Sequence, residues 1–486
     1  MNIRVFRLAS IVVLGGCLSG CLVGPKYHRP AVPIPTHYTE LRGWTLARPA
    51  DAAPKGEWWV LFHDPLIDEL EPRVAVSNQT VRQDYASYQE ALAEVKVARS
   101  ELFPSLGVTA SVTRAGGATG AVSGSGAGSG TTAVINSATL EGSATWSPDL
   151  WGAVRRLIEE NTATAQADAA LLANATLSEQ TLLATTIIEL RTVDAEVDLE
   201  RATIVAYRQA FRVTEQQAEA GITSAPPSAV VTARVALETA QASLIGLGVA
   251  RAEYAHAIAV LVGENPEDLD ISHSSRLPTL PMIPVGMPST LLQRRPDIAA
   301  AERAVAAQNA AIGIAVAAYY PSLSLSASAG FAESPLSGLL HAANHVWSLG
   351  ASGAETLFDF GQRHAQVELA RAAYESAVAN YRGTVLAAFE SVENDLAGLR
   401  ILAAQAQALD IAVRDSIRGT QIALAEFEAG TVDYTTVAAA QEVQLSDQQS
   451  ALSVKESRLV DAVALIGDLG GGWSDSQLGG PSRSKP

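Results

Sequence analysis

Two stretches of 67 residues, 153–219 and 362–428, contain no proline and carry apolar residues at intervals of seven. In the first these are Leu183, Leu190, Val197, Ile204 and Phe211; in the second, Val385, Val392, Leu399, Ala406 and Val413. A heptad sustained over five positions is the seam of a coiled coil, and as continuous helices the stretches would each reach roughly 100 Å at 1.5 Å per residue. Compact globular domains do not use helices of that length. Alanine, the strongest helix former, is the commonest residue and aromatics are only 6% of the 486 residues, so small side chains must do most of the helix packing.

The two stretches belong to a duplication. Phe103-Pro104-Ser105-Leu106 recurs as Tyr320-Pro321-Ser322-Leu323, Asp149-Leu150-Trp151-Gly152 has its counterpart in Phe358-Asp359-Phe360-Gly361, and Glu219-Ala220-Gly221 returns as Glu428-Ala429-Gly430. Gly152 to Gly221 and Gly361 to Gly430 both span 69 residues. Halves of this size are too long for solenoid repeats and read as a duplicated half-molecule. Each long helix should stop at its Glu-Ala-Gly, where glycine supplies the left-handed cap. Shorter helices are expected before each Pro-Ser-Leu motif, about 79–102 and 298–319, and after each glycine, about 228–262 and 434–466.

Between helices the hydrophobic period drops to two. Leu106, Val108, Ala110 and Val112 alternate with Ser105, Gly107, Thr109 and Ser111, and Leu140, Gly142, Ala144 and Trp146 alternate with Thr139, Glu141, Ser143 and Thr145. In the second half Leu323, Leu325, Ala327, Ala329 and Phe331 alternate with serines and Gly330, and Trp347, Leu349 and Ala351 with Ser348, Gly350 and Ser352. Four strands of membrane-spanning length result, with a Ser/Thr/Gly side suited to a wet lumen and an apolar side suited to lipid. Residues 115–133 and 332–345 would form the hairpin tips. Four strands cannot close a barrel, and an open edge in lipid leaves backbone groups unpaired, so spanning strands require an oligomer. Two chains would give eight strands with a filled interior, so a conducting lumen favours three or more.

Arg4 and Arg7 precede a short apolar stretch, Leu8–Leu18, followed by Leu18-Ser19-Gly20-Cys21. This has the make-up of a secretory signal and resembles a lipoprotein processing box, with Cys21 expected as the acylated first residue; Leu14-Gly15-Gly16-Cys17 is a weaker competing box, and ordinary cleavage beside an incidental cysteine is the plain alternative. With Cys17 and Cys21 the only cysteines, disulfide frameworks and Cys-ligated metal sites are excluded beyond them. The formal charge of -17 becomes -19 once Arg4 and Arg7 are removed. An acidic chain with five lysines and no basic run is not a nucleic-acid binder.

Cys21-Leu22-Val23-Gly24-Pro25-Lys26-Tyr27, Trp58-Trp59-Val60-Leu61-Phe62, Leu292-Gln293-Arg294-Arg295-Pro296-Asp297-Ile298-Ala299-Ala300-Ala301-Glu302, Tyr320-Pro321-Ser322-Leu323 and Gly470-Gly471-Gly472-Trp473 together resemble the outer-membrane factor family. These are the TolC-like channel-tunnels of tripartite efflux pumps, and the likeness is to their NodT-type lipoprotein branch, over nearly the whole mature chain. The resemblance implies a mainly α chain with a small transmembrane β part. Three chains would form a 12-stranded barrel, four strands each, continued by a long α-helical coiled-coil barrel. Its implied layout is a signal peptide 1–20, an N-terminal anchor and equatorial segment 21–77, a first repeat 78–265 with a strand hairpin at about 105–147, a Pro-rich linker 266–296, a second repeat 297–470 with a hairpin at about 322–358, and a tail 471–486.

Implied partners are the other two protomers, a periplasmic membrane-fusion adaptor, an inner-membrane efflux transporter of the RND type, and outer-membrane lipid. No cofactor is implied besides covalent lipid, diacylglycerol and an N-acyl chain, on Cys21. The adaptor-docking tips and periplasmic aperture map onto Glu219, Gly221, Ile222 and Thr223 in the first turn and Glu426, Glu428, Gly430, Thr431 and Asp433 in the second. Asp433, with Glu426 and Glu428, would face the aperture as an acidic ring; solvated tip charges are the other account of the same residues. Ala225-Pro226-Pro227 departs from the family by stiffening the first turn. The implied activity is passive export of small toxic compounds or drugs. A type I protein-secretion duct is the nearer alternative, and a non-channel periplasmic coiled-coil lipoprotein the more distant one.

Enzymatic constellations are not evident. His341 and His345 have the spacing of a metal pair but lack the glutamate of His-Glu-x-x-His, and the Gly/Ser run 116–130 is not followed by Gly-Lys-Ser/Thr. Arg294-Arg295-Pro296-Asp297 reads most simply as a helix start, with Pro296 early in the helix and Asp297 favoured by its dipole. Glu196, Asp198 and Glu200 read as a solvated helix face.

Overall fold

The computed structural model describes residues 22–40, 56–118, 132–221, 227–283, 293–333 and 339–478. Helices α1 (Pro65–Ser77) and α2 (Gln79–Ser100) lead into strands β1 (Ser105–Ala118) and β2 (Thr132–Trp146). There follow α3 (Ala153–Glu219), α4 (Pro227–Leu261), α5 (Pro296–Ala317), β3 (Ser322–Glu333), β4 (His345–Ala354), α6 (Gln362–Glu428) and α7 (Tyr434–Asp468). The two long helices coincide with the proline-free intervals between the glycine landmarks. The strands reach further than the alternation predicts and take in parts of both expected tips: Ala115–Ala118 pair with Thr132–Ile135, Ala332 and Glu333 pair with Thr139 and Ala138, and β4 begins at His345.

The chain divides into two compact units, and each draws on both halves of the sequence. One comprises Met1–Pro30, Glu90–Ala165 and Arg303–Ala379; the other Ala31–Gln89, Gln166–Glu302 and Asn380–Pro486. The first holds the sheet, four antiparallel strands in the order β1-β2-β3-β4. Val108 lies opposite Gly142, Gly142 opposite Ala329, and Ala329 opposite Trp347. Direct partners in an antiparallel ladder share a face, so Leu106, Val108, Ala144, Ala329, Trp347 and Leu349 line one apolar side. Leu106, Val108, Trp347 and Leu349 are 81, 78, 67 and 76% exposed there. The other face is hydroxyl-rich: Ser111 and Thr139 oxygens meet at 2.8 Å and Ser328 and Ser348 at 2.9 Å.

At the foot of this sheet Trp151 stacks on Tyr320 at 4.8 Å and donates through its indole N–H to Pro321 O (2.7 Å). The N-terminal strap, from Leu22 onward, is fixed beside it: Val23 N–H donates to Trp151 O (3.2 Å). The Arg156 guanidinium, only 2% exposed, donates to Val23 O (3.1 Å) and Gly24 O (3.3 Å). This crossing works because both partners are glycine. A Cβ on Gly24, whose φ is +91°, would lie 2.5 Å from Gly313 Cα, and one on Gly313 would lie 2.7 Å from Arg156 Nε. Small residues also set the helix contacts, as in the buried groups Ala91–Val95–Ala165 and Ala163–Ala306–Ala307.

In the second unit the heptad residues form the core of α3, with Leu183, Leu190, Val197 and Ile204 at 0, 0, 7 and 7% exposure, and Val385, Val392 and Leu399 are buried likewise on α6. Threonines inside α3 are satisfied by their own helix; Thr186, Thr192 and Thr214 donate to the carbonyl four residues back. Pro296 opens α5 as expected, and Arg295 ties that start to the end of α7, pairing with Asp297 (2.8 Å) and Asp468 (2.8 Å). By length and composition alone, α4 and α6 each contain an 18-residue window apolar enough to cross a membrane, largely exposed in the single chain.

Candidate functional site

The expected tips are closed by glycine. After α6, Gly430 (φ +73°) donates its N–H to Phe427 O (2.9 Å) and Thr431 N–H donates to Glu426 O (2.9 Å), the paired bonds of a Schellman cap. The Thr431 hydroxyl donates to the same Glu426 O (2.9 Å). After α3, Ala220 N–H donates to Gln216 O (3.0 Å) and Gly221 N–H to Ala218 O (3.1 Å), with φ +71° at Gly221. A Cβ on Gly221 or Gly430 would meet nothing within 4 Å. Glycine is therefore needed at the tips for its left-handed backbone and not for space.

Four helices converge behind these turns. Ala210 of α3, Ala229 and Ala233 of α4, Ala423 and Phe427 of α6, and Tyr434 and Val437 of α7 form one buried cluster. A second layer follows in Ile204, Tyr207, Leu237 and Ala240. Burial pushes the Tyr434 phenol up to about 12, with Tyr207 adding to the effect. The Arg234 guanidinium lies 5.4 Å from the Phe211 ring centre, a cation–π contact on the same four-helix end.

The polar residues lie outside that cluster. Glu219, Glu426, Glu428 and Asp433 are all exposed. Asp433 is the N-cap of α7 and its carbonyl accepts from Thr436 N–H (3.0 Å), yet its carboxylate makes no capping bond. The fold thus brings Glu219 and Gly221 to the same end as Glu426, Glu428, Gly430, Thr431 and Asp433. Ile222 and Thr223 lie outside the described residues, as do Ala225, Pro226 and Cys21; Pro227 is the first residue of α4, where its fixed φ suits a helix start.

One expectation needs correction. Glu196, Asp198 and Glu200 do not make one solvated face: Glu200 is 3% exposed and burial raises the pKa of both Glu196 and Glu200, whereas the Asp198 side chain stays 42% exposed. Linker residues cover this part of α3. Buried Asp194 accepts from Arg251 Nε (2.7 Å) and Ser274 N–H (2.8 Å) and contacts His273 Nδ1 (2.9 Å). Hydrogen bonds from Ser275 and His273 hold the Asp198 carboxyl below its usual range. Elsewhere the helices turn acids toward one another. Burial, with Glu189 and Glu196 nearby, pushes Glu456 up to about 7; burial, with Asp468 and Asp461, pushes Asp395 up to about 8. Sequence periodicity did not show these pairings because each joins residues of different helices.

The chain matches the family model described as outer membrane efflux protein over residues 72–264 and 287–471. It is similar to the probable efflux pump outer membrane protein TtgC of Pseudomonas putida, 28% identical over 474 residues that cover 96% of each chain. It is also similar to the solvent efflux pump outer membrane protein SrpC of Pseudomonas putida, 29% identical over 98% of this chain and 100% of that one. Among solved structures, the outer-membrane channel OprN matches with a TM-score of 0.86 at 28% identity, over 93% of this chain and 100% of that chain. The Campylobacter jejuni CmeC outer membrane channel matches in fold, with a TM-score of 0.87 at 22% identity over 94% and 96% of the two chains. With both glycine-capped tips and all four strands inside the matched segments, the chain belongs to the outer membrane efflux protein family.

Proposed function

We propose that this chain is the outer-membrane exit duct of a tripartite efflux system, passing small toxic compounds out of the cell without an energy source of its own. It resides in the bacterial outer membrane and extends into the periplasm. The observation that carries the reading is the sheet: one apolar exposed face, one Ser/Thr/Gly face, and edges on β1 and β4 with no partner strand among the described residues. Unpaired backbone edges are not tolerated in hydrocarbon, so copies of the chain must complete the sheet. Three copies give twelve strands and a lumen.

The helices support the same assembly. Val231, Val235, Ile245 and Val249 form an exposed stripe on one side of α4, a seam for a neighbouring copy to cover. Relatives named for toluene, solvent and antibiotic efflux favour small molecules over secreted proteins as cargo. In this reading Cys21 carries the diacylglycerol and N-acyl anchor. The tips around Glu219, Gly221, Glu426, Glu428, Gly430, Thr431 and Asp433, with Ile222 and Thr223, meet a periplasmic adaptor that joins an inner-membrane RND-type transporter. Three copies of each tip acid near a common axis would repel one another and attract cations.

The test pairs assembly with export. Cross-linked membranes should give a heat-sensitive species near three times the mature mass, and deletion should sensitise the host to solvents and antibiotics. A cross-linking ladder that ends at monomer or dimer overturns the trimeric duct.

A further inference from the structure

The strap does more than run past the helices. Between Gly24–His28, α5 and α6 lies an open cavity of about 590 Å³, within the unit that contains the sheet. Lys26, His28 and Arg371 line it together with Asn309, Ile312 and Tyr374, and no carboxylate does. Among the described residues neither Lys26 nor Arg371 forms an ion pair. In a chain with 51 Asp+Glu against 34 Lys+Arg, two uncompensated cations facing one cavity are a local reversal of sign. The wall is fixed: Asn309 Nδ2 donates to Pro25 O (3.3 Å), Arg303 lies 5.7 Å from the Tyr27 ring centre, and Arg156 holds Val23 and Gly24.

The height of the cavity restricts its ligand. Ile312 is five residues before the end of α5, about 8 Å of helix rise, and β3 begins at Ser322; Arg371 is about 14 Å into α6. The polar layer of a bilayer adds roughly 5–8 Å beyond each side of the hydrocarbon. A cavity about 8–14 Å from the helix ends that carry the strands therefore runs from the inner edge of the headgroup layer to several ångströms beneath it, within reach of a headgroup phosphate through the long Lys26 and Arg371 side chains. Its volume suits a small polar ligand and is too small for two whole acyl chains.

We propose that this cavity binds the phosphate of a phospholipid headgroup from the periplasmic leaflet. Lys26 and Arg371 supply the charge, with the Arg371 fork suited to two phosphate oxygens. His28 and Tyr374 can donate hydrogen bonds, and Ile312 contacts the glycerol end. The site rests on the membrane reading of the sheet, but its test is independent of channel assembly.

Mature protein purified in mild detergent with phosphatidylglycerol would be examined by native mass spectrometry, alongside a Lys26→Gln/Arg371→Gln double variant and a charge-preserving Lys26→Arg/Arg371→Lys variant. The double variant should lose about tenfold in retained phosphatidylglycerol, equivalent to about 1.4 kcal/mol, while the charge-preserving variant keeps it. Heat-sensitive oligomer migration, followed in parallel, should be unchanged in both, so that a failed site is distinguishable from a failed duct. Equal lipid retention in wild type and double variant overturns the proposal. Displacement of the lipid by equimolar inorganic phosphate would overturn its assignment to the membrane.

Discussion

Phe427 and Tyr434, on either side of the α6–α7 turn, meet edge to face with ring centroids 5.7 Å apart, and both are sealed from solvent. Their contact closes the cluster that joins all four helix ends, but the two rings should respond differently to substitution. Phe427→Ala leaves a cavity and should cost about 3–5 kcal/mol. The Tyr434 hydroxyl is buried with no hydrogen-bond partner among the described residues, so Tyr434→Phe should be neutral or stabilising by about 1 kcal/mol. Hydrogen exchange at the tip would resolve the two; equal losses would show that the hydroxyl has a partner.

Asp433 should affect conduction without affecting folding. Because its carboxylate makes no capping bond, Asp433→Ala should cost well under the ~1 kcal/mol of a lost N-cap bond. In the proposed trimeric duct, loss of three cation-attracting carboxylates should nevertheless lower the cation share of the resting ion current in planar bilayers. An unchanged cation share with an intact oligomer would assign Asp433 to the solvated surface.

The strap depends on two glycines far apart in sequence. Gly313→Ala would place a methyl 2.7 Å from Arg156 Nε, and overpacking of that kind costs about 1–3 kcal/mol. Limited proteolysis should then cut residues 22–30 in otherwise folded protein. Gly246→Ala in α4 meets nothing within 4 Å and should instead stabilise by up to about 1 kcal/mol through helix propensity. Protection of the strap in Gly313→Ala would show that Arg156 is dispensable.

Glu71 gives the chain a pH dependence. It is fully buried on α1, neither carboxylate oxygen has a hydrogen-bond partner among the described residues, and burial pushes it up to about 9 from an ordinary 4.5. A carboxyl raised on folding binds its proton more tightly in the native state. Its contribution is therefore complete below about pH 4.5 and is lost as pH rises through 9, at up to about 1.4 kcal/mol per pH unit. Glu71→Gln should flatten that slope in denaturant midpoints measured from pH 5 to 9. Parallel slopes for the two proteins would mean that Glu71 is ionised in the fold.

The long helices were legible because Gly152 and Gly221, and Gly361 and Gly430, flank their ends and no proline lies within either interval. The sheet was legible because alternation at Leu106–Val112 and Leu323–Phe331 leaves one face apolar. The strap clamp was not. Arg156 looks like any helical arginine until folding sets it against Gly24 and Gly313, and no period links those three positions. Asp194 was hidden for a related reason: its own helix pattern resembles a wet face, while the Ser274 and His273 that cover it lie about 80 residues away in sequence.

The helices agree in length across the duplication: α2 and α5 have 22 residues each, α3 and α6 have 67, and α4 and α7 have 35. The strands do not, at 14, 15, 12 and 10. One inserted residue turns every later side chain of a helix by about 100°, so a packed helix cannot absorb it, whereas a hairpin can. Epitopes, dyes or affinity tags grafted into this molecule therefore belong in the hairpins, where the register of the helices does not depend on the count.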